Sequence, residues 1–334
     1  AIHAGLVVVA VAMFIFTPLN TNFEHDYTGV PSWPEYTLRI TLSNWLRKAA
    51  NSLIPPANRL LSRAFDLNQM VAIYCCSKLG WPDALRDGAQ SGRFLANQSS
   101  MSTTMTRRLL RACMVGGIFE EVRGGTVDVD DDDRHYINTV LGDRLREDHP
   151  STLKHFFQFN VEDMAPAHMQ TWNSLQNDSL IPFALAHNYS HTSKSVWQYF
   201  QDRPGQRVQY VNGIGAIDET RMRMVLHDFA WGAKCRTIID VGSGRGPYLA
   251  HLLRAHPNLR GVLFDVPSVV EQAEAFWAEE QHRDLLDRVS FARGDFFNAA
   301  TIPVSAGRGT CYILKLILHN WDDGSVEAIL RNMA

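Results

Sequence analysis

The chain has 334 residues, of which 46% are hydrophobic and 20% charged, and a formal net charge of −3. That length accommodates about two domains of ordinary globular composition. Interspersed charge of both signs offers nothing to a polyanion, so nucleic acid is not an expected partner. Cys75, Cys76, Cys113, Cys235 and Cys311 make neither a disulfide framework nor a metal-ligand spacing. The expected setting is reducing and cytoplasmic, with no metal.

In chain order, "AGLVVVAVAMFIF" at 4–16 is the one membrane-like segment. It is shorter than the roughly 18 to 20 residues a spanning helix needs, and no Lys or Arg precedes it. The chain begins with Ala, so the expectation is a truncated or misassigned N-terminus, with a signal anchor as the other reading and membrane association not expected. Sequons at Asn97, Asn177 and Asn188 read as chance matches. Pro18, Pro31, Pro34, Pro55 and Pro56 make residues 1–58 an irregular lead-in, interrupted by one helix near Tyr36 to Leu53.

From residue 59 to 150 the pattern is compact. One helix carries Leu60, Leu61, Leu67, Met70, Val71 and Ile73; a second, "STTMTRRLLRACMV", has Ser/Thr at its start and Gly116 and Gly117 past its end. Two strand-like pieces follow, "IFEEV" and "RHYINT", around "RGGTVDVDDDD". Helices closed by a small hairpin predict a winged-helix unit. Its 12 Lys/Arg against 13 Asp/Glu leave −1, which is wrong for a DNA reader and points to protein contact. The run Asp130–Asp133 lacks EF-hand spacing and reads as a solvated loop tip.

Residues 151–232 read as helical, with Leu153, Phe156, Phe157, Met164, His168, Trp172 and Leu175 spaced as one buried face and with breaks at Pro182 and Pro204. After Arg236 the period changes. "RTIIDVG", "GVLFDV", "VSFARGD" and "TCYILKLIL" are strand-like runs separated by helical stretches, which predicts an α/β unit over 233–334: a Rossmann-like, doubly wound parallel sheet.

"IIDVGSGRGPYL" places Gly242, Gly244 and Gly246 between the first of these strands and a helix, where backbone must turn tightly and approach a ligand. Asp265 ends the second strand, suited to ribose hydroxyls, and Asp295 and Phe296 end the third, suited to an adenine. The spacing is G-x-G-x-G, and Pro247 removes an N–H that a pyrophosphate would use. A nucleoside without phosphate fits better, and S-adenosylmethionine (SAM) is the expected cofactor.

With "DVGSGRG", "FDVP", "GDFF" and "LKLILHNWDD" in place, the chain resembles the SAM-dependent O-methyltransferases of the plant caffeate and animal hydroxyindole type, from about Arg59 to its last residue. The resemblance implies that Gly242, Asp265, Asp295, Phe296 and Lys315 contact SAM and that His319 is the catalytic base. It also implies that the winged-helix unit dimerises the chain, and that Tyr210 and Ile214 in "YVNGI" line the pocket of a small hydroxyl acceptor. Trp321 reads as packing, and Asp322 and Asp323 as helix capping. Where this family has Asp after the histidine, Asn320 stands here, beside the same acceptor. The family's sheet continues beyond four strands, so the resemblance further implies weak SAM binding and poor methylation by residues 1–334 alone. Two alternatives remain open: a SAM-binding protein that assists rearrangement or decarboxylation, and an inactive dimerising remnant.

Overall fold

The computed structural model describes residues 33–122, 134–150, 152–192, 195–221, 226, 229–304 and 309–334. The apolar run at 4–16 and the acidic run at 130–133 lie outside them. Two long helices open the described chain, α1 (Trp33–Ser52) and α2 (Pro56–Lys78), with Pro56 at the first helical position where its missing N–H costs nothing. The strand β1 (Gln90–Ser91) follows, then α3 (Thr103–Val115), β2 (Phe119–Glu121) and β3 (His135–Asn138). The Ser102 hydroxyl caps α3 by accepting from the Met105 N–H at 3.3 Å. The three strands pair antiparallel in the order β1-β3-β2. Trp81, Leu95, Leu110, Cys113 and Phe119 form the core of this winged-helix unit.

A helical section follows: α4 (Lys154–Phe159), a π-helical turn at Asn160–Met164, α5 (Ala165–Met169), α6 (Thr171–Gln176), α7 (Pro182–His187), α8 (Ser195–Asp202) and α9 (Pro204–Arg221). The single buried face expected here is not continuous. The chain breaks at Gln170 between α5 and α6, and Trp172 and Leu175 are left 69% and 73% exposed. Periodicity read across a break no longer tracks one face.

The last section is a four-stranded parallel sheet, β4 (Thr237–Val241), β5 (Arg260–Asp265), β6 (Val289–Arg293) and β7 (Thr310–Ile313), ordered β6-β5-β4-β7. Helices α10 (Pro247–Ala255) and α11 (Pro267–Trp277) make the crossovers, and α12 (Asp323–Met333) ends the chain. This is the expected Rossmann-like arrangement, and β7 pairs on one side only among the described residues. Leu249, Leu252, Leu253, Leu263, Ala273 and Trp277 pack its main core.

Two expectations fail in this sheet. The run "TCYILKLIL" is a strand only through Ile313: Leu316 adopts left-handed backbone at φ 57°, and Leu318–Asn320 form a 3₁₀ turn. The reading of the cysteines is corrected as well, because Cys235 and Cys311 are joined in a disulfide with Cα atoms 5.8 Å apart. They lie 76 residues apart in sequence, and only the parallel register of β4 on β7, with Ile238 facing Cys311, brings them together.

Candidate active site

The glycine loop is built by hydrogen bonds that few other residues could permit. The Gly242 N–H donates to the Phe264 carbonyl at 2.8 Å, tying the end of β4 to the end of β5, and the Gly246 N–H returns to Ser243 O at 3.0 Å. To close this turn Gly242, Gly244 and Gly246 hold φ of 67°, 58° and 79°, the left-handed region open chiefly to glycine. The indole N–H of Trp277 donates to Arg245 O at 2.9 Å and fixes the loop from behind.

Asp265 stands at the tip of β5. Its Oδ2 accepts from the Gly244 N–H at 2.9 Å and its Oδ1 from the Val266 N–H at 2.7 Å. Burial pushes its carboxyl up to about 6, against those two amide donors, which favour the charged form. At neutral pH it is ionised at the mouth of the loop.

Asp295 follows β6 and is exposed. Its Oδ1 accepts from the Phe297 N–H at 2.9 Å, shaping the turn that projects Phe296. Phe296, Phe297 and Trp321 form a ring cluster with centroids 4.8–5.8 Å apart. The expected packing role of Trp321 is therefore what the structure shows. A side-chain carbon built on Gly242 would come within 2.3 Å of Ile317 Cδ1 and 3.8 Å of Phe296. The segment after β7 thus crosses the strand ends, with Ile317 on the glycine loop and Trp321 on Phe296.

Lys315 and His319 lie on this crossing segment. The Lys315 ammonium sits 5.8 Å from the ring centroid of Tyr248, on the helix that follows the glycine loop. His319 is exposed, in the 3₁₀ turn two residues beyond Ile317, rather than at a strand end as expected. Asn320 Nδ2 donates to Leu316 O at 3.0 Å and so closes that turn. Asp322 caps α12, its Oδ1 accepting from the Ser325 N–H at 2.9 Å.

Tyr210 reaches the same region from α9. Its hydroxyl is held up to about 12 by burial and by the nearby Asp265 charge, and its ring stacks on Phe200 at 4.6 Å. Ile214, one turn further along α9, is half-buried. The neighbouring Gly215 faces the Arg245 guanidinium, whose nearest nitrogen would lie 3.4 Å from an added Cβ. The structure therefore gathers Gly242, Gly244, Gly246, Asp265, Phe296, Lys315 and Tyr210 about one crevice, and leaves Asp295, His319 and Asn320 on its solvent side. Sequence reasoning missed Arg245 and Ile317, although both lie inside quoted motifs.

The residues suit an adenosyl sulfonium. An added Cβ on Gly244 meets nothing within 4 Å, so the loop's open side faces the crevice, and Pro247 at the helix start withholds a phosphate-binding N–H. No group of three or more His, Cys, Asp or Glu could hold a metal ion among the described residues.

The O-methyltransferase domain profile matches residues 169–334, and the O-methyltransferase dimerisation domain profile matches residues 64–148. The mitomycin biosynthesis 6-O-methyltransferase of Streptomyces lavendulae is 32% identical over 79% of this chain and 69% of its own length. The chain belongs to the O-methyltransferase family. As in that family, its cofactor is SAM and it is an enzyme of secondary-metabolite type. Among solved structures, LaPhzM superposes with a TM-score of 0.72 at 26% identity, covering 84% of this chain and 77% of that one. Human N-acetylserotonin methyltransferase in complex with SAM shares the fold, with a TM-score of 0.71 at 20% identity over 84% of this chain and 76% of that one.

Proposed function

We propose that this O-methyltransferase methylates a hydroxyl of a small aromatic or other secondary metabolite, with His319 as general base. Gly242, Gly244, Gly246, Asp265, Asp295, Phe296 and Lys315 bind SAM in this reading, and Tyr210, Ile214 and Asn320 contact the acceptor. The observation that carries it is the convergence of the β4 and β5 tips and the Phe296 turn beneath the segment bearing Lys315 and His319.

SAM supplies an electrophilic methyl group on a sulfonium. The chain's own residues do the rest. Asp265, ionised at neutral pH, accepts the ribose hydroxyls, and Phe296 offers its ring to the adenine. Tyr210, Phe159, Trp197 and Phe200 make an aromatic wall against which a flat acceptor orients. The exposed imidazole of His319 takes the acceptor's hydroxyl proton and passes it to water. Imidazole is the side chain type suited to taking a proton near neutral pH, and general-base catalysis of this kind is worth about 10²- to 10⁴-fold.

The chain divides at about residues 58, 150 and 232 into lead-in, dimerisation unit, pocket helices and SAM-binding unit, and it works as a cytoplasmic homodimer. The test is incubation with methyl-labelled SAM and a panel of phenols and hydroxylated polycycles. Labelled ether together with S-adenosylhomocysteine supports the reading. Acceptor conversion without S-adenosylhomocysteine favours assisted rearrangement or decarboxylation. No rise in melting temperature with SAM favours a non-catalytic dimerising protein.

A further inference from the structure

The π-helical turn at Asn160–Met164 carries two consecutive carboxylates, Glu162 and Asp163, that take no part in the proposed chemistry. Turns of this kind are rare and concentrate at functional positions. Glu162 accepts hydrogen bonds from two elements at once. Tyr74 Oη at 2.9 Å and Lys78 Nζ come from α2 of the dimerisation unit, and Gln209 Nε2 at 3.3 Å comes from α9. Asp163, 1% exposed, accepts from the Tyr199 hydroxyl, and its backbone carbonyl meets His187 Nε2 at 2.8 Å.

Two of these ties, through Gln209 and through Tyr199, lead to Tyr210. Gln209 is its chain neighbour. The Tyr199 ring lies 5.4 Å from Phe200, which stacks on Tyr210 at 4.6 Å, and Phe159, the residue before the turn, meets Tyr210 edge-on at 5.2 Å. Tyr210 in turn feels the charge of Asp265 in the SAM crevice. One turn therefore joins Tyr210 through its chain neighbour Gln209, through Phe159 and through the Tyr199–Phe200 pair.

We propose that Glu162 and Asp163 are positioning residues for the acceptor, and that Glu162 transmits the placement of dimerisation helix α2 to Tyr210. The inference rests on the reading of Tyr210 as acceptor wall. The stability at stake in the Lys78 contact is small, because Lys78 is 56% exposed and half-solvated ion pairs contribute little. Glu162 itself is only 19% exposed and also accepts from Tyr74 and Gln209, so the melting temperature of Glu162→Ala is measured beside its geometry, and it is expected to stay folded.

Hydrogen exchange on the full-length chain reads that loss without any need for turnover. Glu162→Ala and Gln209→Leu are expected to speed exchange in peptides covering 204–217 and to leave peptides covering 247–255 unchanged. On the panel phenol with the highest kcat/KM, Glu162→Ala is expected to raise acceptor KM by about tenfold, with the Kd for S-adenosylhomocysteine within about twofold of wild type. Glu162→Gln, which keeps an acceptor oxygen and can turn its amide to the Gln209 carbonyl, restores KM to within about threefold. Wild-type exchange over 204–217 in both variants overturns the proposal. So does a parallel rise of acceptor KM and S-adenosylhomocysteine Kd accompanied by a fall in melting temperature, which marks a merely structural tie. A chain that methylates nothing defeats the functional reading, and the exchange data then decide this one alone.

Discussion

Gly244 and Gly246 both hold left-handed backbone, but only one of them has room for a side chain. A Cβ at Gly244 meets open space, whereas one at Gly246 would lie 2.2 Å from Leu263 Cδ2, and Leu263 is fully buried. Gly244→Ala should cost about 1 kcal/mol of stability through its φ alone while raising the Kd for SAM more than about tenfold, since the methyl projects into the crevice. Gly246→Ala adds about 1–3 kcal/mol of overpacking and should appear chiefly as a lowered melting temperature. Thermal melts with and without SAM separate the two.

Asp265 gives the pH dependence its sign. Its carboxyl titrates at about 6 in the folded chain against an ordinary value of 3.8. Between those values the folded chain holds the proton more tightly than the unfolded one, so this group's stabilisation is present below the window and is withdrawn as pH rises through it. SAM binding runs the opposite way, because the ionised carboxylate accepts the ribose hydroxyls. Affinity measured by calorimetry should strengthen as pH rises through about 6, and Asp265→Asn should bind weakly with no such step.

Among the elements, helix starts were the most legible. Ser102 before α3 and Asp322 before α12 were placed by residue type, and both side chains accept the backbone N–H three residues on. Ser102→Ala should destabilise the chain by about 1 kcal/mol in chemical denaturation and Ser102→Gly by only a few tenths. The end of β7 was not legible. Apart from Lys315, the residues from Leu314 to Leu318 are as apolar as any strand, and nothing local in sequence announces left-handed backbone at Leu316. Geometry beyond the local pattern hid the rest: the Cys235–Cys311 bond depends on strand register, and Trp172 follows a helix break at Gln170. The three glycines and Asp265 were readable because tight turns restrict residue type. Glu162 was not, because its partners lie 47 to 88 residues away.

For the molecule as a whole, the first two described helices carry a run of exposed apolar side chains. Trp45 on α1 is 63% exposed, and Leu60, Leu67 and Val71 form a stripe along α2 beside Leu61 and Phe65. A contiguous apolar stripe of this kind marks an association site, and α2 runs into the matched dimerisation domain. Light scattering after size exclusion should give a dimer for the wild type and a monomer for Leu60→Asp/Phe65→Asp. The residues assigned to SAM all lie on one chain in this reading, so the monomeric variant should keep its SAM affinity. Among the described residues no helix is long and apolar enough to cross a membrane.

The account turns on an exposed imidazole working beside a SAM crevice whose walls it does not form. The most direct measurement is single-turnover methyl transfer by His319→Gln, with SAM affinity determined in parallel. The account predicts unchanged SAM binding and a rate reduced by about 10²- to 10⁴-fold; a variant that transfers methyl at the wild-type rate would contradict it.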